Sequence, residues 1–130
     1  MKRSLLIILL SFTCIIVKAQ SNPESKTDTT IFTSTDVETV PECSGGFERF
    51  AKYLANNKQM TSLHDKGIVY VQFVVETDGK LTQIKVVKSL SADADKVAAS
   101  VIRNSPLWKP GIKNGQAVRV QCTLPLHFKG

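Results

Sequence analysis

The sequence lacks the short signatures that announce catalysis. It has no Gly-x-Ser-x-Gly elbow, no Walker loop and no Gly-x-Gly-x-x-Gly turn, so acyl transfer, phosphoryl transfer and dinucleotide chemistry have no visible seat. Its two histidines, His64 and His127, stand far apart without Glu or Cys at ligand spacing, and this argues against a metal centre. A one-signed charge is missing as well. Lys2, Arg3 and Lys18 supply three of the formal +6, which leaves +3 on a remainder where basic and acidic residues are interspersed. That is a solvated surface; a nucleic-acid partner would want a clustered basic stripe. No apolar run reaches the ~20 residues that span a bilayer as a helix. The chain therefore reads as a non-enzyme with no cofactor, no metal, no nucleic acid and no small-molecule substrate.

What is present suits one domain. At 130 residues, with 42% hydrophobic and 22% charged, the composition is that of an ordinary globular chain. The first residues differ: Met1–Arg3 is basic, Leu5–Val17 is nearly all apolar, and Val17-Lys18-Ala19 ends on a small residue. This is the pattern of a secretory signal peptide over 1–19 with cleavage between Ala19 and Gln20. An uncleaved short membrane anchor is the alternative, with Lys18 snorkelling to lengthen the span. Lipid attachment at Cys14 is a third reading, disfavoured because Thr13 precedes it and the apolar run continues beyond it. Gln20–Val40 is polar, with isolated Ile31 and Phe32, and reads as a flexible linker over 20–40. Some 20 flexible residues reach only roughly 25 Å.

The remainder, 41–130, alternates between helical and strand periods. Phe47, Phe50, Ala51 and Leu54 form one helical stripe, capped by Ser44 and ended by Asn56-Asn57. Lys58–Lys66 reads as a polar connection. Ile68–Glu76 alternates with Val69, Val71, Phe73 and Val75 on one face, as a half-buried strand does. Thr77-Asp78-Gly79 is a hairpin turn, and Leu81–Ser89 returns with Ile84 and Val86 inward. Ser91 caps a helix over Ala92–Asn104, with Asp93 and Asp95 in its first turn and Arg103 in its last. The final stretch, Ala117–Lys129, alternates like a strand but holds Pro125, and proline belongs on a sheet edge. These elements give an α+β domain: a β-β-α-β three-stranded, antiparallel-type sheet in the order 2-1-3. One helix covers the sheet and an extra helix lies at the N-terminal side. The last strand, Val118, Arg119, Val120, Gln121, Cys122, Thr123, Leu124, Leu126 and His127, is then the exposed edge on which a partner strand can add. With Cys14 removed, Cys43 and Cys122 remain, and in an oxidising compartment they could pair as a disulfide or stay as two buried thiols.

The ordered set of local patterns resembles the C-terminal domain of the TonB family of energy transducers. Val40-Pro41-Glu42 with Gly45-Gly46-Phe47 resembles the family's proline and glycine-glycine opening. Gly67–Gly79 resembles its hairpin, and Ser89, Trp108-Lys109-Pro110, Asn114-Gly115 and Val120 through Leu124-Pro125-Leu126-His127-Phe128 complete the pattern. The resemblance implies a periplasmic domain whose last strand accepts a short segment of an outer-membrane TonB-dependent transporter, the TonB box, by β-augmentation. Another envelope protein, or a second copy in a homodimer, is the alternative partner. The long proline-rich spacer of a complete transducer has no counterpart here, and Cys43-Ser44 stands where the family commonly has an aromatic and a proline.

Overall fold

The computed structural model describes residues 29–130. The expected signal peptide or anchor, the Ala19–Gln20 junction, Cys14 and the first part of the linker lie outside the described residues. In chain order the elements are β1 (Ile31–Thr33), β2 (Glu42–Cys43), α1 (Gly46–Ala55), α2 (Lys58–Ser62), β3 (Lys66–Val75), β4 (Leu81–Lys88), α3 (Ala92–Arg103), β5 (Trp108–Lys109), β6 (Gly111–Lys113) and β7 (Gln116–Lys129). The main sheet runs β1-β7-β3-β4, and β6 also pairs with β7; β2 and β5 make a separate two-stranded ribbon. The mixed α+β architecture follows the reading of the sequence, with β3 and β4 as the hairpin, α3 as the crossover and β7 antiparallel to β3.

The hairpin turn and the loop after α3 lock each other. Glu76 N–H donates to Lys80 O at 2.9 Å, and Gly79 N–H to Glu76 O at 2.9 Å. Gly79 sits at φ +85°, and a Cβ there would fall 2.0 Å from Trp108 O. Glycine is thus needed both for the left-handed turn and for the approach that lets Trp108 N–H bond Gly79 O at 3.0 Å. Helix α3 starts where its cap predicts: Ser91 Oγ accepts from Ala94 N–H at 3.0 Å, and Ala94, Ala98, Val101 and Ile102 turn into the core. On the sheet side Val69, Val71, Phe73 and Val75 are buried, as the alternation requires, while Ile84 and Val86 pack at the margin.

Four local expectations are corrected. Helix α1 is not capped by Ser44; its N-cap is Gly45 at φ 91°, with no side-chain cap. The apolar stripe of α1 is only partly buried, because Phe50 is enclosed whereas Phe47 is 83% exposed. The polar connection after α1 contains α2, for which Asn57 is the N-cap, its side chain accepting from Gln59 and Met60 N–H, so that Met60 is buried. An Asn that looks like a helix end serves here as the next helix's start. Finally, residues 31–33, expected within a flexible linker, form β1, parallel to β7 with Ile31 beside Arg119 and Thr33 beside Gln121. Ile31 and Phe32 are half-buried there, and Lys113 Nζ lies 4.7 Å from the Phe32 ring centre while donating to Asp36 O at 2.9 Å.

Candidate functional site

The backbone direction of β7 can be worked out from the hairpin. Glu76 turns its N–H toward β4, so alternate residues Val74 and Gln72 do the same, and Val75, Phe73 and Val71 turn toward β7. The β3–β7 register is unbroken from Lys66↔Lys129 to Val75↔Val120, which pairs those residues with Val120, Cys122 and Leu124. The even-numbered residues of β7 therefore spend their backbone groups on β3, and the odd-numbered ones turn theirs outward. Pro125 falls on the outward set, where its missing N–H costs the sheet nothing.

This divides the expected partner-strand residues into groups. Val118 is used within the β6–β7 hairpin, opposite Gly111. Arg119, Val120 and Gln121 lie in the stretch taken by β1, so this half of the expected edge is covered by the chain's own strand. From Cys122 to Lys129 no described strand pairs on the outer side. Within that stretch Thr123 and His127 offer both N–H and C=O outward, and Pro125 offers C=O. Cys122, Leu124 and Leu126 instead contribute side chains to the helix-covered face, Leu126 fully buried. The opposite edge of the sheet, β4, is different in kind. It carries register shifts against β3 and a left-handed Gln83 at φ 49°, and it presents Lys85 and Lys88, features that blunt a strand edge. One edge is irregular and charged; on the other, Cys122–Lys129 is regular and unpaired by any described strand.

Beside the open edge lies an apolar groove of about 710 Å³. Leu124, Pro125 and His127 form its β7 wall, and Phe47, Leu54 and Met60 belong to the helical wall; Trp108 also lines it. The ring of Phe50 meets Trp108 edge-on at 5.5 Å, and Trp108 meets Phe73 at 5.3 Å, so aromatic packing fixes the groove to the core. Sequence reasoning assigned these helical residues to the core alone. The available signal was the α1 stripe itself, which carries two aromatics, Phe47 and Phe50, of which only Phe50 is buried.

Where β1 meets β7, Arg119 holds three segments together. Its Nε donates to Glu76 Oε2 at 2.7 Å, its Nη2 to Glu76 Oε1 at 3.0 Å, and its Nη1 to Thr29 O at 3.0 Å. Thr82 Oγ1 also donates to Glu76 Oε1. The Arg119 hydrogen bond, more than any other cause, holds the Glu76 carboxyl below the usual carboxylate range. A depressed native pKa stabilises the fold above the ordinary carboxylate titration, and that stability is lost as pH falls through the native value. Glu76→Gln is therefore expected to lower the urea midpoint at pH 7, with the gap to the parent closing as pH drops below the ordinary range. A gap that stays constant to pH 3 would show that the ion pair does not govern it.

Cys43 and Cys122 stand as free thiols, Cys43 buried within the β2–β5 ribbon opposite Trp108 and Cys122 half-buried opposite Phe73. Burial raises both thiols, Cys122 to about 11. Such a group holds at least about a hundredfold less thiolate than an ordinary free thiol. Alkylation of Cys122 by iodoacetamide at pH 8, followed by site-resolved mass spectrometry, is expected to be slower by that factor in the native protein than in urea. Native labelling at the denatured rate would contradict the burial.

Among the described residues no group of His, Cys, Asp or Glu could hold a metal, and no helix is long and apolar enough to cross a membrane. The family model for the Gram-negative bacterial TonB protein C-terminal matches residues 58–129. Among curated proteins nothing matches. Among solved structures, the chain is similar to the NMR solution structure of the Helicobacter pylori TonB C-terminal domain, with 21% identity over 64% of this chain and 80% of that one and a TM-score of 0.37.

Proposed function

Because this chain belongs to the TonB C-terminal family, whose members are associated with TonB-dependent transport, we propose that it is an exported, periplasmic adaptor that binds an extended segment of an outer-membrane transporter. Binding adds that segment as a strand along Cys122–Lys129. The observation that carries this reading is an asymmetry: β4 is bulged and lysine-bearing, whereas β7 keeps a regular ladder whose outer side no described strand pairs from Cys122 to Lys129. Main-chain hydrogen bonds from such an edge supply affinity with little sequence demand, and neighbouring side chains supply selectivity. The domain works by interaction and needs no catalytic group.

The position of β1 also bears on force transmission. The first element among the described residues begins at Ile31. Were Leu5–Val17 to stay in the inner membrane, residues 18–30 would give the domain at most about 45 Å of fully extended chain. That tether favours a soluble adaptor over a lone transducer spanning the envelope.

The test is site-specific photo-crosslinking in cells, with a photoreactive residue at Thr123, at His127 or, as control, at Lys85 on the β4 edge. The expected product is a covalent adduct to an outer-membrane transporter from positions 123 and 127 and not from 85. Equal adducts from all three positions, or none from 123 and 127, would sink the reading.

A further inference from the structure

Strand addition explains the main chain of a partner but leaves the groove beside the edge unused. We propose that the groove is an anchor site for one bulky apolar side chain of the added strand, aromatic or long aliphatic, gripped between Phe47 of α1 and Leu124 of β7. The inference rests on the strand-addition reading and specifies the partner's chemistry at that site.

Three observations select this occupant. First, the groove and the open backbone share a wall, Leu124–Lys129. A strand lying on that edge projects alternate side chains to the helix-covered face, the same face as Leu124 and Leu126. Second, the groove has almost nothing to orient a free small molecule. No polar or charged side chain of the described residues is buried, and His127 and Lys129 of its rim are exposed. A pocket of about 710 Å³ without convergent polar groups needs its ligand oriented by something else, and the main-chain edge does that. Third, Phe47 of α1 lines the groove yet stands 83% exposed, an aromatic ring largely uncovered by the described residues. A bound side chain would cover it.

The rival occupants fit less well. The described chain enters β1, parallel to β7, from the Arg119 end, where Arg119 donates to Thr29 O, and not from Cys122–Lys129. Residues after Thr33 turn off at once, with Asp36 N–H bonded to Thr33 O at 3.1 Å. A second copy pairing β7 to β7 would bring strand side chains, Leu126 and Phe128, that its own core has already buried.

The test uses a blocked heptapeptide, Thr-Val-Thr-Phe-Thr-Val-Thr, a counterpart with serine in place of phenylalanine, and a third with alternate amides N-methylated along its pairing edge. Trp108, the single tryptophan, lines the groove and reports occupancy by its emission. The phenylalanine peptide is expected to shift that emission and to bind about tenfold more tightly than the serine peptide, the loss typical of truncating a pocketed aromatic. Phe47→Ala, which removes an exposed ring and leaves the fold intact, is expected to erase most of that difference. Equal affinity of the phenylalanine and serine peptides, with N-methylation still abolishing binding, overturns the anchor site and leaves strand addition standing. Indifference to N-methylation, or no binding by any peptide, overturns both. A peptide-free protein whose mass doubles with concentration in step with the Trp108 shift assigns the groove to a second copy and also overturns the proposal.

Discussion

Replacing Phe73 with alanine is expected to cost about 3–5 kcal/mol of folding free energy, the range for deleting a buried phenyl ring. Phe73 has no exposed surface. Its ring sits in β3, edge-on to Trp108 at 5.3 Å, and Trp108 in turn meets Phe50 at 5.5 Å. The ring therefore links the sheet, the loop after α3 and α1 in one stack, and the cavity left by its loss is bounded by a β-ladder on one side. A ladder paired over ten residues with β7 cannot close in to fill it. A domain of this size has about 5–15 kcal/mol in total, so the variant would be poorly populated at 37 °C. Phe73→Leu keeps most of the volume and is expected to cost less than about 1.5 kcal/mol. Urea unfolding followed by Trp108 emission measures both. A loss below about 1 kcal/mol for the alanine variant would mean that Trp108 and Phe50 are not packed through Phe73.

The parts of the fold that were legible in the sequence are those where local and tertiary demands agree. The period of two in β3, the Asp78-Gly79 turn and the Ser91 cap of α3 each fix their element without help from distant residues, and each is present. The parts that were not legible depend on distant pairing. Ile31 and Phe32 are two apolar residues in a polar stretch, and composition averages them away. They become a strand only because β7 offers a free edge opposite and Lys113 and Arg119 hold the incoming chain. The ribbon of Glu42-Cys43 with Trp108-Lys109 is likewise two residues on each side and has no period to detect. Pro125 did carry long-range information. A proline inside an alternating run marks the outer side of a strand, and Pro125 falls in the stretch of β7 that no described strand pairs on that side. It could not say that Arg119–Gln121 would be covered, since nothing in β7 itself distinguishes those residues from Cys122–His127.

The backbone parity of β7 yields the sharper test, because two neighbouring residues should respond oppositely to the same substitution. Cys122 turns its N–H toward Phe73 of β3, and Thr123 turns its own outward, as Pro125 turns its ring nitrogen outward two residues on. Cys122→Pro removes a donor inside the ladder, leaves a buried carbonyl of β3 unpaired and places a ring where a partner strand lies. The expected cost is about 3 kcal/mol, with Cys122→Ala as the control for lost side-chain packing. Thr123→Pro removes a donor that no described strand uses, from an exposed residue, and is expected to change stability by less than about 1 kcal/mol. Its effect should appear in binding instead. One of the outward donors on which an added strand relies is gone, and affinity for a strand-forming peptide should fall by about tenfold, the worth of one well-made hydrogen bond at the upper end. Unfolding midpoints and peptide titrations on the two variants give a two-by-two pattern. Cys122→Pro unstable with Thr123→Pro stable but weak-binding places the partner on the outer side of β7. The reverse pattern of stability would mean the outward set is the even-numbered one. In that case Pro125 would sit against β3, and the edge would offer a partner Cys122, Leu124 and Leu126.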